Sequence, residues 1–327
     1  TRLNILIEGS GFKDQFEDTR LLDIARGIDK PTNDPTPIEA PSPKPPVSVR
    51  PREVAVTSVE RWVRDPYSIY ARYILHLKPL DPVDQPPGAA DRGSIIHKAL
   101  EDFVKLFPEH LPNDDEAMRH LLKLGRTAFG DLLDQPAVAS IWWPRYERAA
   151  AWFLQWERQR RKDGMKVLAE QQGRTTFKAP AGDFTLKAKA DRIEVFPDKS
   201  INIVDYKTGM APSRQQVTIG FSPQLTLEGA IALQGGFPGI TAETVQSIVY
   251  VSLKGGEEGG KQSPINFKDS TTQDAVLNAF QRFQDFVAAY DNPDMPYVSK
   301  PHVLFQAAIG DYDHLARVKE WSSESDE

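Results

Sequence analysis

The sequence predicts an α/β fold, a small mixed sheet flanked by helices and entered through a helical N-terminal extension. Three observations lead there. Residues 57–163 repeat apolar positions at helical spacing, residues 183–209 alternate like a hairpin, and residues after 209 read helix, strand, helix.

In chain order, residues 1–30 are too short for a core of their own and read as an arm or as the remnant of a preceding domain. Residues 31–52 hold Pro31, Pro35, Pro37, Pro41, Pro43, Pro45, Pro46 and Pro51. Such a run sustains neither helix nor central strand, and it predicts a linker or surface strap. "TSVERWVRDPYSIYARYILHL" opens with Thr57 as a helix cap and Glu60 three residues on, a capping-box pattern. "GSIIHKALEDFVKLF" carries the apolar stripe Ile95, Ile96, Leu100, Phe103 and Val104, and further helices are expected near 115–134 and 137–163. "DFTLKAKADRIEVF" alternates as a strand, "PDKS" turns, and "INIVDYKTG" returns. A helix at "PQLTLEGAIALQGG", a strand at "TVQSIVYVSLKGG" and a helix at "TQDAVLNAFQRFQDFVAAY" complete the domain, followed by an acidic tail at 321–327.

Composition narrows the function. The chain has 327 residues, a formal charge of -6 and no cysteine. Disulfides, zinc–thiolate centres and an iron–sulfur cluster ligated within this chain are therefore excluded. No apolar run approaches the roughly 18 residues of a membrane span, and no signal peptide is legible, so a cytoplasmic location is expected. The start lacks a Met, which reads as a trimmed fragment. A net negative charge argues against coating nucleic acid through overall charge, but leaves room for a local basic groove. Arg145, Arg148, Arg158, Arg160, Arg161, Lys187 and Lys189 are candidates for one, a solvated helix face being the alternative.

The chemistry concentrates in "ADRIEVFPDKSINIVDYKTG". Alternation puts Asp205 and Lys207 on one face with Tyr206 on the other, and the turn lets Asp191 approach Asp205. For an arbitrary D-x-K triplet a surface ion pair is the commoner reading. Here the apolar run "INIV" predicts a buried strand with Asp205 at its end, which favours a site. Converging carboxylates repel one another, and a hard divalent cation relieves that. The main-chain carbonyl of Tyr206 is a further oxygen donor, and Lys207 is placed to orient water or stabilise phosphate charge.

These residues resemble the core of the RecB-type PD-(D/E)XK nucleases, with their restriction-endonuclease-like fold. The resemblance implies that Asp191 and Asp205 are metal ligands and Lys207 the catalytic lysine. "GSIIHKALE" matches the family's G-x-x-x-H-x-x-L-E helix at Gly93, His97, Leu100 and Glu101, which implies that His97 also ligates the metal. The family's Q-hydrophobic-x-x-Tyr pattern is matched only in part. Gln224 and Leu225 fit, but Glu228 stands at the Tyr position. By the same resemblance Gln224, Glu101, Glu170, Lys189 and Arg192 are expected to contact DNA or support the ligands. The stretch from 50 to 320 is further similar to the C-terminal nuclease domains of AddB-type subunits, the alphaproteobacterial form above all. That implies Mg²⁺, with Mn²⁺ as a substitute, single-stranded DNA, an AddA-like helicase–nuclease partner, and a role in double-strand break repair by recombination. Domain limits of 53–320 follow. Many AddB proteins carry an iron–sulfur staple whose first cysteine precedes a Pro in this helix; here Asp65 precedes Pro66, and packing of the aromatic helix on the C-terminal segment is expected instead. A catalytically silent scaffold and a self-standing nuclease of the same fold remain open.

Overall fold

The computed structural model describes residues 2–11, 19–30, 38–80, 86–302 and 310–322. Pro31, Pro35, Pro37 and the acidic tail beyond 322 lie outside them. Two compact units emerge, Ala40–Val318 and a second made of Thr1–Glu39 with Lys319–Glu327. In the second, α1 (Arg2–Gly9) and α2 (Arg20–Asp29) bury none of their residues.

The main unit begins as an extended strap. The carbonyls of Pro41 and Pro43 accept hydrogen bonds from the main chain of Ser299 and Tyr297. Arg50, itself buried, donates to the carbonyls of Pro45, Tyr290, Asn292 and Pro293. The strap leads into β1 (Glu53–Ala55) and α3 (Val56–Arg64), then α4 (Pro66–Ile69), whose π-helical turn runs Tyr70–Ile74. Thr57 does not cap: Ala55 holds the cap position and the helix has already begun, which frees Glu60 for another task. Next come α5 (Ala89–Leu106), α6 (Asp114–Phe129) and α7 (Trp143–Arg160). The long ribbon β2 (Lys166–Ala179) and β3 (Gly182–Val195) follows, then β4 (Ser200–Lys207), α8 (Arg214–Ile219) and α9 (Gln224–Leu233). β5 (Thr244–Ser252), β6 (Lys261–Pro264), α10 (Thr272–Tyr290) and α11 (Val318–Trp321) close the described chain.

The six-stranded sheet runs β1-β3-β4-β5-β6, with β2 also paired to β3. β1–β3 and β4–β5 are parallel, and the other pairs are antiparallel. The sheet is mixed because the β2–β3–β4 connections are tight turns, whereas β4 reaches β5 through the α8–α9 crossover. Helices cover both faces. Ile201 and Ile203 of β4 pack with α3, α9 and α10 in one core; Val204 and Tyr206 pack with α5, α6 and α7 in the other. Burial on both sides is why this strand reads as a continuous apolar run. A third cluster joins Tyr67 and Ala71 to Tyr312 and Ala316, and the Tyr312 hydroxyl donates to the carbonyl of Leu77 at 2.8 Å. Asp65 accepts from the main chain of Lys300 at 3.1 Å. Ordinary packing and hydrogen bonds thus tie this helix to the C-terminal segment.

Candidate metal centre and active site

β4 places the second acid and the lysine. Asp205 lies near the strand's end with its side chain almost sealed from solvent. Its Oδ1 accepts from the Lys207 ammonium at 3.0 Å and from Gln224 Nε2 at 2.9 Å, and Lys207 lies 2.8 Å from Oδ2. Gln224 is the first residue of α9, so the helix start carries its amide to the strand end. Burial, reinforced by the charge of Asp191, pushes the Asp205 carboxyl up to about 6. Burial opposes the charge on Lys207, yet Asp205 and Asp191 outweigh it and raise its pKa. Lys207 is therefore a protonated donor at neutral pH.

β3 supplies the first acid. Asp191 Oδ2 accepts the Tyr206 main-chain N–H at 3.0 Å and lies 3.4 Å from His97 Nδ1. His97 arrives on α5, and the glycine before it on that helix has a steric reason: a Cβ on Gly93 would stand 3.0 Å from Thr208 Oγ1. Leu100, one turn further, is buried in the second core. Burial disfavours the imidazolium, but the hydrogen bond and charge of Asp191 prevail and raise the His97 pKa.

Glu170 enters from β2. It sits across from Asp191, between the paired positions Ala169↔Arg192 and Gln171↔Ala190, with φ of 53° in a region strained for residues other than glycine. His97, Glu170 and Asp191 each present a donor atom within 4.8 Å of the others. Two carboxylates and an imidazole make a donor set that suits Mg²⁺ or Mn²⁺. Asp205 stands beside this group, turned toward Lys207 and Gln224.

Not every expected residue joins. Arg192 is corrected: wholly buried, it pairs with Glu157 at 2.5 Å and Glu194 at 2.8 Å and cannot touch DNA. It shares the face of Val204 and Tyr206, away from Asp205, because β3 alternates. Glu101 pairs with Lys98 and Lys105 on its own helix. Lys189 is exposed and ion-paired with Glu170.

Three polar residues near Lys207 escaped the sequence reading. The Glu60 carboxylate lies 3.1 Å from Arg64 and within electrostatic range of Lys207; burial raises its pKa. Glu228 is fully buried, accepts from Gln224 Nε2 at 3.2 Å, and is pushed well above the ordinary glutamate value by burial and by Asp205. Tyr250 of β5 is also fully buried, and its ring lies 6.0 Å from the Lys207 ammonium. Only Glu228 had a signal, as the odd residue in an otherwise matched pattern.

Comparison with known proteins agrees with this geometry. An uncharacterized protein of Rickettsia bellii is 30% identical over 187 residues, covering 57% of this chain and 22% of that protein. One of Rickettsia felis is 28% identical over 227 residues, 68% of this chain and 26% of that protein. The chain thus spans about a quarter of the length of these relatives. A solved Eubacterium rectale structure described as a "Putative exonuclease" aligns with a TM-score of 0.42 at 9% identity, covering 82% of this chain and 94% of that one. The model of the PD-(D/E)XK nuclease superfamily matches residues 53–302, and to that superfamily this chain belongs.

Proposed function

We propose that the chain is a Mg²⁺-dependent nuclease module that hydrolyses phosphodiesters of single-stranded DNA, with Mn²⁺ as a substitute. The observation that carries this reading is the meeting of Asp191, Asp205 and Lys207 at the ends of adjoining strands, with His97 and Glu170 beside them. His97, Glu170, Asp191, Asp205 and the Tyr206 carbonyl are the ligands. A bound divalent ion would supply Lewis-acid stabilisation of phosphate charge and an acidified water.

The chain's own residues do the rest. Asp205 holds Lys207 in place and is itself fixed by Gln224. Lys207, kept protonated, donates to a phosphoryl oxygen as negative charge develops there and orients the attacking water. Asp191 fixes the His97 ring and is anchored by the Tyr206 amide. Within a larger subunit of AddB type, this module would trim strands delivered by an AddA-like helicase partner during recombinational repair in the bacterial cytoplasm. The sequence similarity noted for residues 50–320 supports that assignment.

The test is cleavage of end-labelled single-stranded DNA with Mg²⁺, Mn²⁺ or EDTA, comparing the wild-type chain with Lys207→Ala. Metal-dependent cutting that disappears in the variant is expected. Cutting that survives EDTA, or is unchanged in Lys207→Ala, contradicts the proposal.

A further inference from the structure

The basic residues offered by the sequence as phosphate contacts separate into two groups. Arg148 donates to the carbonyl of Gly255, and Arg158 to Asp114 and the carbonyl of Pro112. Arg160 binds Glu194, and Arg161 binds Glu157 and the carbonyl of Phe107. These arginines hold the fold together. Lys187 and Lys189 instead point outward, with side chains 49% and 60% exposed. Arg174, which the sequence reading did not single out, is exposed directly across from Lys187.

The strand register makes this a track. Alternate residues share a face, so Lys187, Lys189 and Asp191 form a row on β3. Arg174, Gln172 and Glu170 mirror it on β2, through the pairs Arg174↔Lys187 and Gln172↔Lys189. Each step along the row is about 6.7 Å, on the order of one nucleotide of an extended single strand. The row runs straight into the metal group, because Lys189 is paired with Glu170. Arg174, Lys187, Lys189 and Gln172 line a groove of about 670 Å³, whose other wall includes Thr57 and Pro238. Glu53 is the acid facing Lys187. That pair is half exposed, and such pairs contribute only about 0–1 kcal/mol, so a phosphate can replace the carboxylate.

We propose that the β2–β3 ribbon is the path by which a single DNA strand reaches the metal centre. Lys189 contacts the phosphate next to the scissile one, and Arg174 with Lys187 contacts the phosphate after that. This rests on the nuclease reading for its destination, but the contacts concern binding and are measurable without cleavage. One row of cations, a single residue pair wide, fits one backbone and not the two of a duplex.

The experiment compares the wild-type chain, Arg174→Gln/Lys187→Gln, and a control of equal charge loss at exposed positions, Lys123→Gln/Lys261→Gln. Binding of a labelled 12-nucleotide single strand is followed by anisotropy in EDTA across a salt series. Hydrolysis of bis(p-nitrophenyl) phosphate, too small to span the ribbon, is followed with Mn²⁺. The ribbon variant is expected to bind about tenfold more weakly. Its log–log salt slope should be shallower by about 1.4, at about 0.7 per lost phosphate contact, with hydrolysis of the small diester unchanged. Wild-type affinity and slope in the ribbon variant, or an equal loss in the control, would overturn the proposal. Weaker binding by the ribbon variant alone, with no hydrolysis by any of the three proteins, supports the path and counts against the nuclease reading instead.

Discussion

Replacing Arg192 with Leu removes a cation at the centre of a buried network. Arg192 is fully buried and contacts Glu157, Glu194 and the Tyr206 hydroxyl. Breaking a buried ion pair by deleting one partner costs about 3–5 kcal/mol, since the other charge stays buried. Both carboxylates keep a second arginine here, Glu157 through Arg161 at 2.7 Å and Glu194 through Arg160 at 2.6 Å. Asn202 also donates to Glu194 at 3.0 Å. The expected cost is therefore at the lower end, about 3 kcal/mol, out of a total on the order of 5–15 kcal/mol. Denaturant unfolding should show a lower midpoint at unchanged slope. The loss should also depend on pH. Burial raises the Glu194 carboxyl, but Arg192 and Arg160 prevail and hold it below the ordinary value of 4.5. A depressed carboxylate contributes stability above its unfolded pKa and loses it as pH falls through the folded one. The gap between wild type and variant should accordingly narrow below pH 4.5. DNA affinity, measured where both proteins are folded, should be unchanged. Undiminished stability with a loss of DNA binding would refute the assignment of Arg192 to the core.

Three further outcomes follow from the geometry. Glu228→Gln keeps an acceptor for Gln224 and should leave the cleavage rate within about twofold, whereas Glu228→Ala removes that bond, costing about 1 kcal/mol or roughly fivefold in rate; equal rates in the two variants would contradict a positioning role. Mn²⁺ affinity should weaken as pH falls below about 6, where Asp205 takes up a proton, by about tenfold per pH unit, and a flat calorimetric profile from pH 7 to 5 would oppose it. Gly125→Ala would place a Cβ 2.2 Å from the Tyr146 ring, so thermal unfolding should register an overpacking loss of about 1–3 kcal/mol, and an unchanged melting temperature would show that the ring can move aside.

Much of this was legible because the relevant signals are local. Asp205 and Lys207 share a face by simple alternation, and "INIV" announced a strand buried on both sides. β2 was missed as a strand: "VLAEQQGRTTFKA" is polar at many positions because part of the ribbon faces solvent, so its burial signal is diluted. With β2 went the pairing that sets Glu170 across from Asp191 and Arg174 across from Lys187. Arg192 was misread because a charge next to a catalytic acid suggests a ligand contact, and only the strand's alternation, with α7 packed behind it, shows that it faces the core. Glu60 was hidden by a capping pattern that the helix, starting at Val56, does not use. Cross-strand register and helix start are long-range properties, which a local pattern does not encode.

The central claim is that His97, Glu170, Asp191 and Asp205 form a divalent-metal site. Its most direct test is Mn²⁺ titration calorimetry on the wild-type chain and on Asp191→Ala, with circular dichroism confirming that both are folded. Saturable binding by the wild type that is lost in the variant is the predicted result. No binding by the wild type, or equal binding by both, would contradict the site.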